Sequence, residues 1–233
     1  MKKYFNVIFL ILVYLACILS SKQSVRAMKN FFNVMSGEAY QEKLLIVVDP
    51  GHGGRDPGKV GVNGALEKDI NLSISMKLRT LLEDNRFEVI MTREEDIGLY
   101  EETDSNKKRT DLNNRIHIIN EANPLVAISV HQNSFTQENI KGAQVFYHQE
   151  SPDGRRLAEI LQAQIKGSLG DDNHRKAKSN TSYYMLKKTE CPLVIVECGY
   201  LSNNNEASLL VNEEYQEKLA LGIYLGIIEF LDK

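Results

Sequence analysis

From Lys43 onward the chain alternates between two hydrophobic periods. LLIVVD (44–49) is a continuous apolar run ending at Pro50-Gly51, the pattern of a strand buried on both faces. Between Glu67 and Asn85, residues Ile70, Ile74, Leu78, Leu81 and Leu82 recur at helical spacing. FEVIMT (87–92) predicts a second strand, and DLNNRIHIINEAN (111–123) a helix that stops before Pro124. LVAISV (125–130) and GAQVFYH (142–148) predict the third and fourth strands. Leu157, Ile160, Leu161, Ile165 and Leu169 line one face of another helix, and PLVIVECG (192–199) predicts a fifth strand. Ala220, Ile223, Ile227, Phe230 and Leu231 mark a long C-terminal helix. The segment 94–110 is charged and aperiodic, the pattern of an exposed loop. Alternating strands and helices, with strands apolar on both sides, predict one layered α/β domain over 43–233 with a mostly parallel sheet.

The first 27 residues follow a different rule. Lys2 and Lys3 precede an apolar run from Tyr4 to Leu19 broken only by Asn6, and Val25-Arg26-Ala27 offers a small-residue cleavage site. This predicts a signal peptide or an N-terminal membrane anchor over 1–27, the run being slightly short for a spanning helix. Bulky Tyr14 and Leu15 before Ala16-Cys17 argue against lipidation. Residues 28–42 are polar and unpatterned and read as a linker. The expectation is a protein exported across the cytoplasmic membrane, its N-terminal segment contacting that membrane on the way, and either secreted or anchored at the cell wall.

Composition narrows the function classes. Hydrophobic residues make up 42% and charged residues 25%, which excludes a disordered chain or a multispanning membrane protein. The net charge is −3, but residues 1–27 hold four basic residues and no acid, so the remainder has 24 basic against 31 acidic residues, a net of −7. A body that acidic is unsuited to nonspecific nucleic-acid binding, which rests on phosphate neutralisation. Cys191 and Cys198 flank PLVIVE, a strand that would hold them roughly 20 Å apart, too far for a disulfide. They are expected to be separate buried thiols.

In open α/β sheets functional groups gather at the carboxyl ends of strands. The first strand runs into Asp49-Pro-Gly-His52-Gly-Gly54, the third into His131-Gln-Asn133-Ser134, and the fifth ends in Glu197-Cys-Gly199; Glu67 opens the first helix. Two histidines and two glutamates can therefore converge at one edge. Two imidazoles and a carboxylate make a three-ligand zinc set that leaves a position for water, and a further carboxylate can take that water's proton. No HExxH motif is present, and the DPGHGG loop lacks the GKS or GKT ending of a phosphate-binding loop. His117, His148 and His174 lie in no strand-end cluster and read as structural, with His117 packing among Ile116, Ile118 and Ile119. Glu67 could equally be a first-turn glutamate favoured by the helix dipole. Glu197 could be a buried salt-bridge partner of Arg93 or Arg115.

Asp49-Pro-Gly-His-Gly-Gly54 with Asp56 and Gly58, Glu67, Met91-Thr-Arg93, Ser129-Val-His-Gln-Asn133 and Val196-Glu-Cys-Gly-Tyr-Leu-Ser-Asn203 together resemble the ordered motif set of zinc-dependent N-acetylmuramoyl-L-alanine amidases. The resemblance covers 43–233. It implies a mixed α/β sheet flanked by helices, one Zn2+ ion held by His52, Glu67 and His131, and Glu197 as catalytic carboxylate. It implies hydrolysis of the amide joining N-acetylmuramic acid to L-alanine of peptidoglycan stem peptides. Asn133 and Asp49 are candidates to orient a ligand or the substrate, because a metal-bound histidine usually needs a partner on its other ring nitrogen. Where many members carry Asn-Arg-Gly, this chain reads Asn173-His174-Arg175-Lys176-Ala177. A single catalytic domain behind an export segment is similar to the spore-cortex, germination-specific branch, whose members trim stem peptides so that muramic δ-lactam can form. An activating or anchoring accessory protein is a further expectation.

Three alternatives stay open on sequence alone. The chain could be a general vegetative autolysin, or a non-catalytic peptidoglycan-binding module. It could also be a cysteine hydrolase using Cys198 with His131, although a thiol on an apolar strand is expected to be buried and inert.

Overall fold

The computed structural model describes residues 44–170 and 173–232. The expected export segment over 1–27 and the linker over 28–42 lie outside the described residues. Six strands form one sheet in the order β2-β1-β3-β6-β4-β5. They are β1 (Leu45–Pro50), β2 (Glu88–Met91), β3 (Val126–Asn133), β4 (Gln144–His148), β5 (Lys178–Asn180) and β6 (Leu193–Tyr200). The first four in spatial order are parallel; β4 runs antiparallel to β6, and β5 parallel to β4. The sheet is thus mixed and mostly parallel, as expected.

Six helices are described: α1 (Glu67–Asp84), α2 (Lys107–Ala122), α3 (Pro152–Leu169), α4 (Tyr184–Lys188), α5 (Asn204–Leu210) and α6 (Glu213–Leu231). The sequence sets their limits locally. Asn106 accepts from the Arg109 N–H at the start of α2, and Asn123 ends it in the left-handed conformation just before Pro124. Ser151 caps α3 ahead of Pro152, and Gly170 closes it in the left-handed region.

The helices cover both sides of the sheet. Ile70, Ile74 and Leu78 of α1 pack with Leu157, Leu161 and Ile165 of α3 and with Ile223 and Ile227 of α6, against Val48, Val130, Val145 and Val196. On the opposite face Ile116 and Ile119 of α2 and Leu186 of α4 cover Val47, Ala127, Phe146 and Ile195. Each fully buried aliphatic side chain contributes about 1.5–3 kcal/mol, so the stability of the domain lies in these two layers.

Four expectations need correction. Helix α2 begins at Lys107, inside the segment expected to be loop, because Asn106 supplies the cap. Strand β3 continues past the apolar run through His131 to Asn133. His117 does not pack: its side chain is 72% exposed and lies 3.9 Å from Glu121, one turn on, while Ile116 and Ile119 take the buried positions. Cys198 is buried as expected, but Cys191 is only partly so; both are free thiols. Among the described residues no helix is long and apolar enough to cross a membrane.

Candidate metal centre

The parallel ladders bring three strand ends to one edge. Val130 of β3 accepts from the Gly51 N–H just after β1, and His131 of β3 pairs with Glu197 of β6. One row across the sheet therefore reads Gly51, His131, Glu197. Gly51 has no side chain because none fits: a Cβ there would stand 2.2 Å from the His131 ring. His52 follows with φ +62°, a left-handed conformation that turns its ring back over the edge. Two arginines hold this turn. Arg93 donates to the carbonyls of Pro50 and Gly51, and Arg115 to those of Pro50 and His52.

Glu67 enters from the first residue of α1 and is 2% exposed. Its Oε1 lies 3.2 Å from His52 Nε2 and 3.0 Å from His131 Nδ1, and accepts from the Gln132 N–H at 3.1 Å. Its Oε2 accepts from the Lys59 N–H at 2.8 Å. The His52 and His131 rings meet edge to face with centroids 5.0 Å apart. One donor atom from each of His52, Glu67 and His131 lies within 4.8 Å of the others, a donor set suited to a divalent ion such as zinc. Burial opposes charge on Glu67, yet hydrogen bonds from both imidazoles overcome it and hold the carboxyl well below its usual range. Burial likewise disfavours a charged His52, but Asp56 and Glu67 outweigh it and lift the imidazole to about 9.

Glu197 is 8% exposed, and its Oε2 has no hydrogen-bond partner. Burial raises its pKa to about 7; the His131 field opposes this rise and the Glu67 charge adds to it. The salt bridges considered for Glu197 do not form. Arg115 pairs with Asp49 at 2.7 Å and with Asp111, and Arg93 serves backbone carbonyls.

The profile of the N-acetylmuramoyl-L-alanine amidase family matches residues 46–229. The chain belongs to this family. The germination-specific N-acetylmuramoyl-L-alanine amidase of Bacillus subtilis is 36% identical over 189 residues, covering 80% of this chain and 79% of that protein. The CwlD amidase of Clostridioides difficile, solved in complex with the GerS lipoprotein, is 41% identical with a TM-score of 0.79, covering 82% of this chain and 99% of that one. AmiC2 of Nostoc punctiforme is 29% identical with a TM-score of 0.72, covering 82% and 98%.

His52, Glu67 and His131 converge, and Glu197 adjoins them across the β3–β6 ladder. Asp49 is fully buried; its oxygens accept from Thr92, Ser129 and Arg115, which makes it an anchor beneath the turn. The Asn133 side chain accepts from the next residue's N–H, at Ser134. The partner on the second ring nitrogen of His52 is Asp56, at 2.9 Å from Nδ1. Asn71 and Gln132, which the sequence did not single out, tie the parts together. Asn71 donates to the Gly51 carbonyl and accepts from the Gln132 amide.

Cys198 follows Glu197 on β6, so strand alternation sends its thiol to the opposite face. There it is fully buried in the α1–α3–α6 layer, and burial pushes its pKa up. It cannot reach His131 as a nucleophile. Phe146 is core, and the Tyr183 ring packs against it at 5.6 Å between centroids. Tyr184 lies beneath Arg109.

Proposed function

We propose that this amidase cleaves the amide between N-acetylmuramic acid and L-alanine with one zinc ion at His52, Glu67 and His131 and with Glu197 as its proton-transferring carboxylate. The observation that carries this reading is the convergence of those three donors within 4.8 Å, with Glu197 in register with His131. A zinc ion held there supplies a Lewis acid for the amide carbonyl and an acidified water. Glu197 takes the proton of the attacking water and returns it to the leaving amine of L-alanine. Its buried, unpaired Oε2 is suited to that task, because a carboxylate committed to a salt bridge could not exchange the proton. Asp56 and the Lys59 N–H hold His52 and Glu67 in place while this happens.

The reading extends to the domain plan and setting: an export segment or anchor over 1–27, a linker over 28–42 and the catalytic domain over 43–233. The setting is the spore cortex, where release of stem peptides leaves muramic acid free to form its δ-lactam. The name of the Bacillus subtilis relative supports this branch, and the lysine-led apolar run supports export to the cell wall or forespore intermembrane space. An accessory protein outside the cytoplasmic membrane would activate or anchor the enzyme; the solved complex of the CwlD amidase with the GerS lipoprotein supports such a partner.

The test is digestion of purified peptidoglycan by the full chain, with products read by mass spectrometry. Stem peptides with new L-alanine amino termini, lost on chelation, are expected. Cleavage in the glycan strand or within the peptide would contradict the proposal.

A further inference from the structure

Strands β4 and β5 run against the other four, so their N-terminal ends open onto the edge where His131 and Glu197 lie. Gln144, the first residue of β4, pairs with Glu197, which pairs with His131. Paired residues on neighbouring strands share a face. Gln144, Glu197 and His131 therefore form one row, at a strand spacing of about 4.8 Å.

Arg175, in the segment leading into β5, meets the end of this row. Its N–H donates to Oδ1 of buried Asn173 at 2.9 Å, and its Nε to the Lys141 carbonyl at 2.7 Å. Its Nη1 reaches Gln144 Oε1 at 3.3 Å, and its guanidinium lies 4.7 Å from the centroid of the Tyr200 ring. All four partners are neutral. Among the described residues no carboxylate lies within ion-pairing distance of Arg175. An arginine has five N–H donors; the Lys141 carbonyl and Gln144 occupy two of them, and the Tyr200 hydroxyl takes a further one. A cation fixed at backbone and side chain, with donors to spare, next to the reaction row, is arranged to receive an anion.

The substrate carries one at the matching distance. In the stem peptide the residue after L-alanine is a D-glutamate joined through its side-chain carboxyl, which leaves its α-carboxylate free unless amidated. That carboxylate lies about 7 Å, two residues' reach, from the scissile nitrogen. The Arg175 guanidinium is held at Gln144, which stands one strand spacing, about 4.8 Å, from Glu197. We propose that Arg175 is a specificity-determining residue that binds the α-carboxylate of the second stem-peptide residue. This rests on the amidase reading above. It makes the enzyme selective for stem peptides that are not amidated at that position. The planar fork of arginine suits a carboxylate where a lysine would give a single point charge.

Two muramoyl peptides differing only in a free or amidated α-carboxyl at the second residue test this. The full chain should show a kcat/KM about tenfold or more higher on the free acid, the loss expected for one charge-assisted hydrogen bond. Arg175→Gln should abolish that preference, mainly by raising KM for the free acid. Arg175→Lys should restore part of the preference. Equal loss on both substrates, or no preference in the wild type, overturns the proposal. Calorimetric binding of the dipeptide L-alanyl-γ-D-glutamate and its α-amide to the Glu197→Gln chain requires no turnover. Discrimination there without cleavage of either muramoyl peptide by the wild type would keep the recognition and overturn the amidase mechanism. Equal or no binding of the two would overturn the recognition itself.

Discussion

His131 and Glu197 face each other across the β3–β6 ladder, and the register slips between His131 and Asn133, just beyond the pair. An irregularity of this kind bends a strand and re-aims its side chains. Here it falls where the ladder hands over from packing to chemistry. Up to Val130 and Val196 the strands carry apolar side chains, Ser129 excepted; at the next position each carries a titratable group.

Glu197→Gln removes the proposed proton acceptor while keeping the side chain's size. Stem-peptide release should fall by at least about 10²-fold, the usual contribution of general acid–base catalysis. Zinc content, measured on the same preparation, should not change. Loss of the metal along with activity would make Glu197 a ligand.

Gly51→Ala places a Cβ where the His131 ring stands, 2.2 Å from its nearest atom. The ring must rotate away, so zinc affinity should drop about 10–100-fold, as when a ligand loses its orientation. Circular dichroism and zinc titration together check that the fold survives while the site does not.

Asp56→Ala frees the second ring nitrogen of His52. Zinc affinity should weaken by about 10-fold or more. Unchanged affinity would show that the loop alone orients His52.

The buried Asp49–Arg115 pair predicts an acid limit on stability. Burial pushes the Asp49 pKa up, but the Arg115 charge and the Ser129 and Thr92 hydroxyls win and hold it below its ordinary range. A carboxyl acidified by folding binds protons more tightly when unfolded. Its contribution is therefore full above the unfolded value of about 3.9 and is lost as pH falls through the native value. Denaturant titrations from pH 7 down to 2 should show a smaller acid loss in Asp49→Asn than in the wild type, the remainder coming from groups such as Glu67 whose pKa is also lowered. Arg115→Met should cost about 3–5 kcal/mol at pH 7, the penalty for stranding a buried charge.

What the sequence revealed and hid follows from periodicity. Five strands were legible because their apolar runs are continuous. The sixth, Lys178-Ser-Asn180, is a polar edge strand of three residues defined only by pairing with Phe146–His148. Helices α4 and α5 are too short to show a repeat. The convergence of His52, Glu67 and His131 was legible because parallel strands deliver their ends to one edge. Asp56 was not assigned a role, since a glycine-rich loop has no period to link it to His52. The placement of Asp49 and Asn133 turned on which donors lay nearest, and that depends on Arg115 and Ser134 rather than on spacing.

The central claim is that His52, Glu67 and His131 hold one ion on which amide cleavage depends. The most direct measurement is a zinc titration of the chelated full chain with bound metal and stem-peptide release followed together. Release should rise in proportion to bound zinc, be complete at one ion per chain, and be absent at every zinc concentration that leaves His131→Ala unmetallated. Release by the metal-free chain, or one-to-one zinc binding undiminished in His131→Ala, would contradict it.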